Sequence, residues 1–134
     1  MSPDLSWLLN GECRSVTIDI SGTRFEFEDA SLQLECPWRI LSKGRIALGS
    51  VDHEQQFGLP KPLDAAVEAL TLLKGQRVQS VVVVRESGDL VLHFSEDLRL
   101  EGWNHSSGYE GWIATGPNKQ HVVAMGGGEV VVWG

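Results

Sequence analysis

From Val16 to Leu34 the apolar residues fall on alternate positions: Val16, Ile18 and Ile20, then Phe25 and Phe27, then Leu32 and Leu34. A period of two marks strands with one buried face, because successive side chains point to opposite sides of the backbone. Ser21-Gly22 between the first two runs predicts a hairpin, since glycine accepts the positive φ of a tight turn. A fourth strand is predicted through Trp38 to Leu41 and a fifth through Arg45 to Leu48. The same series returns later in the chain. It runs through Val81–Val84, a second hairpin at Ser87-Gly88, Phe94, Leu98-x-Leu100, Trp112–Thr115 and Gln120–Met125. A last strand covers Glu129 to Trp133, with a weaker equivalent around Val51 to Phe57.

One stretch takes the helical period instead. "PLDAAVEALTLLKG" places Leu63, Ala66, Val67, Leu70 and Leu73 on one face, with Pro62 and Asp64 suited to the first turn and Gly75 to the stop. "PDLSWLLNG" is a shorter version of a turn or two. Val81 and Val83 fall on the outer parity of their strand and Val82 and Val84 on the inner. A strand apolar on both sides is expected to be covered on both, which predicts that helix 62–73 lies over it.

The two series align. Leu8-Leu9-x-Gly11 matches Leu72-Leu73-x-Gly75, Ser21-Gly22 matches Ser87-Gly88, and Phe27 matches Phe94. Leu32-x-Leu34-Glu35 matches Leu98-x-Leu100-Glu101, and "RIALG" at 45–49 resembles "VVAMG" at 122–126. The chain is therefore expected to hold two pseudo-repeats, about 3–58 and 62–134, within a single domain. The predicted fold is mainly β (α+β): antiparallel meanders of about ten strands, counted from the pattern, forming a sandwich or an irregular barrel, with one clear helix at about 62–73.

Size supports this, since 134 residues can bury about two-thirds of the unfolded surface. A formal net charge of −7 argues against nucleic acid or an anionic membrane as partner. The first residues show no basic, apolar leader, and the longest aliphatic run, Val81–Val84, is far too short to span a bilayer. A cytoplasmic location is the expectation. Cys13 and Cys36 fall at opposite ends of the first meander, so two free thiols are expected rather than a disulfide.

The motifs that carry chemistry are incomplete. Gly126-Gly127-Gly128 leads into the alternating "EVVVW" rather than a helix, so it is a hairpin turn and not a phosphate cradle. "HEQQF" at 53–57 has Phe57 where a zinc protease needs its second histidine, which leaves Asp52, His53 and Glu54 as a polar loop. His93 and His121 sit singly in strands, and Trp7, Trp38 and Trp133 at element ends, where packing accounts for them. No metal or cofactor is expected.

Two places remain. Between the third and fourth strands the first repeat has "CPW", whereas the second has "GWNHSSGYEGW". This inserted loop gathers Trp103, His105, Tyr109, Glu110 and Trp112, residue types that binding surfaces use. The other is the outward face of the first meander, with Thr17, Asp19, Arg24, Glu26, Glu28, Gln33 and Glu35. It is either a solvated sheet face or a dock for a basic protein, in which case Glu26 and Glu28 are the residues expected to bind.

Gly88-Asp89-Leu90, Tyr109-Glu110-Gly111-Trp112 and Gly127-Gly128-Glu129 resemble the marks of a family of small bacterial proteins, largely actinobacterial, catalogued only as a domain of unknown function. Members often carry proline where this chain has Gly126. The resemblance covers the second half closely and the first loosely, and it implies no activity, cofactor or catalytic residue. The expectation is a non-enzymatic protein-binding or inhibitor module, of the immunity type, with a basic protein as partner. The alternative is a small-molecule-binding barrel or minor hydrolase with its site around 103–112.

Overall fold

A computed structural model describes residues 3–133, and among these the chain forms eleven strands and one α-helix. Strands β1 (Ser15–Asp19), β2 (Gly22–Glu26) and β3 (Ser31–Leu34) form a meander, and β4 (Trp38–Ser42) and β5 (Arg45–Gly49) follow. After helix α1 (Ala65–Leu73) come β6 (Val78–Val83), β7 (Leu90–Phe94) and β8 (Leu98–Gly102). The chain ends with β9 (Trp112–Thr115), β10 (His121–Ala124) and β11 (Val130–Trp133).

The strands make two antiparallel sheets, one in the order β1-β2-β3-β9-β10-β11 and the other β5-β4-β8-β7-β6. Each half of the chain thus lays three strands in one sheet and then passes to the other. β3 lies beside β9, with Leu34 opposite Trp112, and β4 lies beside β8, with Trp38 opposite Gly102. Neither sheet closes on itself, so the architecture is a sandwich and not a barrel.

The core fills the space between the inner faces. Phe25, Leu32, Leu34, Trp112, Ala114 and Val122 come from one sheet, and Trp38, Ile40, Leu48, Leu90, Leu92 and Leu100 from the other. Two tryptophans tie the layers together. The Trp38 indole donates to Thr23 Oγ1 at 2.9 Å and meets Phe25 edge-on at 5.4 Å. The Trp112 indole donates to the Gly88 carbonyl at 2.8 Å. Burying such rings requires a partner for each N–H, and both have one.

Helix α1 departs from expectation in two respects. Its buried residues are Ala65, Ala69 and Leu73, while Val67 is exposed. Small alanines at i and i+4 let the backbone come close to the sheets, which a face led by Val67 would not. The helix also does not cover the valine strand. It packs against β1 and β5, the edge strands on one side of the sandwich, and closes that side. On the other side, the single turn Ser6–Leu8 lies against β6 with Leu8 buried.

The valine strand itself has the opposite parity to that expected. Val81 and Val83 pack toward the core, and Val82 and Val84 are exposed. The pairing with β7 shifts register between Val78 and Ser80, a bulge at Gln79. One extra residue exchanges the faces of everything that follows it, and this removes the need for a cover.

Where a weak strand is expected around Val51 to Phe57, the chain instead enters a 3₁₀ turn, Ser50–Asp52, followed by turns. The triple glycine joins antiparallel β10 and β11, as a hairpin connection with Gly127 at φ 88° and Gly128 at φ 99°. Cys13 and Cys36 are both free and buried. Burial pushes the Cys13 thiol up to about 12 and the Cys36 thiol up to about 11, which makes both poor nucleophiles. No helix among the described residues is long and apolar enough to cross a membrane.

Candidate functional site

The loop from Trp103 to Gly111 takes the chain from β8 across to β9 in the other sheet. Such a loop needs partners for its backbone, and several come from neighbouring turns. The Asn104 N–H donates to Asp89 Oδ1, and its side-chain amide donates to the Ser87 carbonyl, both at 2.9 Å. The Gly127 N–H donates to the Ser106 carbonyl at 2.9 Å. Ser106 Oγ accepts from the N–H groups of Gly108 and Tyr109. At the far end Gly111 donates to the Ala124 carbonyl, and its own carbonyl accepts from Glu35 and Cys36.

Glycine permits this packing. A Cβ on Gly88 would stand 2.6 Å from the Gly128 carbonyl oxygen and 2.8 Å from Asn104 Nδ2. A Cβ on Gly126 would overlap the backbone of Gly108. Beyond forming a hairpin, the triple glycine is the surface on which the inserted loop and the Ser87-Gly88 turn rest.

This frame holds aromatic groups outward. Tyr109 is 84% exposed and Trp103 38%. The Arg39 guanidinium stacks on Trp103, 4.6 Å from the ring centroid, and is itself held by Glu101 at 2.8 Å. Arg99 binds the other oxygen of Glu101, also at 2.8 Å. Partial burial tends to raise the Glu101 carboxyl, but the two guanidiniums outweigh it and hold the group below its ordinary value. A fixed carboxylate thus orients Arg39, and Arg39 orients Trp103.

The other residues expected in this site are distributed unequally. His105 is exposed, and Glu110 is half-buried near Glu35. Partial burial and then the Glu110 charge raise the Glu35 carboxyl above its ordinary value. Trp112 is fully buried and belongs to the core, so it cannot contact a partner. Arg39 was not anticipated. Its outward position follows from the pairing of Arg39 with Glu101 across β4 and β8, and that pairing is not legible from either strand alone.

The acidic face is less acidic than its own strands suggest. Glu26 pairs with Arg24, which also donates to Ser31 Oγ. Glu28 lies between two guanidiniums, 3.4 Å from Arg14 and 3.6 Å from Arg77. The polar segment at 52–54 works as a brace for the helix. Asp52 accepts from the Gly49 N–H, and His53 Nδ1 accepts from the Ala65 N–H at the start of α1. Asp64 caps the next two N–H groups, those of Ala66 and Val67. Among the described residues, no group of three or more His, Cys, Asp and Glu side chains is placed to hold a metal ion.

Comparison with known proteins places the chain in a family. It belongs to DUF6188, a family of unknown function, whose sequence profile matches residues 5–134. No curated protein and no solved structure matches it.

Proposed function

We propose that this chain is a non-enzymatic protein-binding module, and that its contact surface is the 103–111 loop. The observation that carries this reading is a loop tied to neighbouring turns by hydrogen bonds, with its aromatic side chains turned outward. Tyr109 and Trp103 are exposed on a frame of backbone hydrogen bonds, with Arg39 stacked on Trp103. Tyr, Trp and Arg dominate the energetic centres of interfaces, and a preorganised loop loses little entropy when it binds. His105 and Glu110 lie within the same loop and supply polar contacts at its rim.

The face bearing Glu26 and Glu28 takes a secondary place in this reading, because its carboxylates are already matched by Arg24, Arg14 and Arg77. A basic partner would have to displace those pairs. The alternative of a small-molecule site finds less support at the loop, since the clefts of about 440 and 370 Å³ lie along β6, β7 and β8 instead.

Affinity capture from host lysate with the tagged chain tests the proposal. A stoichiometric protein partner is expected, lost with Trp103→Ala/Tyr109→Ala and retained with Glu26→Lys/Glu28→Lys. A partner that ignores the loop variant but leaves with the charge variant would move the surface to the first meander. No partner at either low or high salt would reject the reading for that lysate.

A further inference from the structure

On the outer face of the five-stranded sheet a cleft of about 370 Å³ lies across β6, β7 and β8, and the pairing of these strands decides what lines it. Ser80 stands opposite His93, His93 opposite Arg99, and Arg99 opposite Leu41, which pairs in turn with Ile46. Residues in direct register share a face, so these side chains form one row. Val78 is buried in the core and Val81 packs toward it. The bulge between them therefore puts two successive residues, Gln79 and Ser80, on the outer face. Bulges re-aim side chains in this way and recur beside active sites. Gln79, Ser80, His93, Arg99 and Leu41 all line the cleft.

The row holds a cation and no carboxylate, with His93 half-buried directly beside Arg99. Glu101, in the next row, binds Arg99 through Nε at 2.8 Å. That contact fixes the guanidinium from one side. Its terminal amino groups, which can hold an oxyanion with two parallel bonds, have no hydrogen-bond partner among the described residues. Around them stand the His93 imidazole, the Ser80 hydroxyl and the Gln79 amide, each able to donate. Leu41, buried although it lies outside the core cluster, gives the cleft an apolar floor. Asp97 stands on the far wall, next to Lys43, whose N–H donates to the Asp97 carbonyl at 3.0 Å.

We infer that this cleft is a binding site for a small organic anion, with a carboxylate or phosphate held between Arg99 and His93 and an apolar body over Leu41. A cation would meet the Arg99 charge. An uncharged apolar molecule would take water from the guanidinium without replacing its hydrogen bonds. An oxyanion does neither, and it supplies the acceptor that the row lacks. The volume falls within the roughly 300–1,000 Å³ of small-molecule sites. Charges more than about 10 Å away are screened at ordinary salt, so the −7 of the whole chain does not decide the sign of this cleft. The site is separate from the 103–111 loop, because Glu101 and Arg39 stand between Arg99 and Trp103. It does not depend on the reading of that loop.

Amide NMR of the isotope-labelled chain, titrated at constant ionic strength with phenyl phosphate, benzoate and benzyl alcohol, tests this. Saturable shifts at Ser80, His93 and Arg99 are expected with at least one of the two anions and not with the neutral alcohol. The tighter of the two anions identifies the head group. Arg99→Gln should weaken binding by roughly tenfold or more, and Arg99→Lys, which keeps the charge and loses the planar fork, by less. Arg24→Gln, on the other sheet, should change nothing. Ser80→Asp gives a check that leaves the Arg99–Glu101 pair in place: its carboxylate enters the exposed end of the row and should abolish binding with the circular dichroism spectrum unchanged. The inference is overturned if neither anion gives saturable shifts up to tens of millimolar, or if the shifts fall outside the cleft. Binding that survives both Arg99→Gln and Ser80→Asp overturns it as well. Benzyl alcohol binding as tightly as the anions would make the cleft an apolar site and overturn the anion as its ligand.

Discussion

The chain changes sheets twice, each time ending at a tryptophan that opens the next strand, and the two crossings differ in length. The first takes three residues, Glu35 to Pro37, and the second takes nine, Trp103 to Gly111. Each ends at a tryptophan that begins the next strand and reaches back to the first hairpin of its own half. Trp38 bonds Thr23, next to Gly22, and Trp112 bonds Gly88. The core function of the crossing is thus kept in both, while the extra residues of the second lie outside the core. There they carry Trp103 and Tyr109 into solvent. Structure that stability needs is common to the two halves, and the surface proposed for binding lies in what they do not share.

The largest effects should fall on the shared device. Trp38→Ala and Trp112→Ala each leave a large cavity between the sheets and should cost about 3–5 kcal/mol in urea unfolding. Trp→Phe separates packing from hydrogen bonding, and here the halves should differ. Trp112→Phe strands the Gly88 carbonyl, a loss of about 1–3 kcal/mol that no side-chain change can repair. Trp38→Phe strands a hydroxyl instead. Adding Thr23→Val removes that hydroxyl as well, so the double variant should recover part of the loss. Equal losses with no recovery in the double variant would mean that the two indole bonds contribute little.

A smaller effect should separate the crossings themselves. Gly49 and Gly126 stand at matched places in "RIALG" and "VVAMG". At Gly49 an added Cβ meets nothing closer than 3.8 Å, and its φ of −127° suits any residue. At Gly126 the Cβ would overlap the Gly108 backbone of the inserted loop. Gly49→Ala should therefore change stability by less than about 0.5 kcal/mol. Gly126→Ala should cost about 1–3 kcal/mol, as overpacking does, and should raise amide exchange in 103–111. If both are neutral, the loop does not rest on the glycine turn, and the preorganisation on which the binding proposal stands is lost.

These comparisons also indicate what was legible in the sequence. Alternation located nearly every strand, because one-sided burial prints a period of two whatever the partner strand is. The helix was found from its own period and from the Pro62, Asp64 and Gly75 signals. Features set by a neighbour were not visible. The bulge at Gln79 is a property of how β6 meets β7, so the valine parity was inverted. The helix covers a different strand from the one expected, because with Val81 and Val83 placed on the outer face the valine strand calls for a cover that the inverted parity makes unnecessary. Glu28 looked free because Arg14 and Arg77 reach it from other elements. For the candidate loop, its composition and insertion were legible, but the burial of Trp112 and the stacking of Arg39 on Trp103 depend on the sheet pairing.

The smallest effect is also the one where the matched positions differ in sign. Glu35, just after β3, and Glu101, within β8, stand at matched places in the two Leu-x-Leu-Glu segments. Glu35 is raised by partial burial and by Glu110, and Glu101 is lowered by Arg39 and Arg99 against its own burial. A raised carboxyl means that the folded chain binds its proton more tightly than the unfolded chain does. Stability is then lost as pH climbs through the folded value, and the cost is full at neutrality. A lowered carboxyl stabilises above the unfolded value, and that contribution disappears as pH falls through the folded one. Glu35→Gln should therefore raise the melting temperature slightly at pH 7 and not at acid pH, and Glu101→Gln should lower it at pH 7 and not at acid pH. Both groups keep contact with solvent, so each shift should be well below those of the tryptophan and glycine variants. Glu101→Gln should also loosen Arg39 from Trp103, detectable as a change in tryptophan fluorescence that Glu35→Gln lacks. Shifts of the same sign at the two positions would show that Arg39 and Arg99 do not outweigh burial at Glu101, and that Arg39 is placed by packing rather than by Glu101.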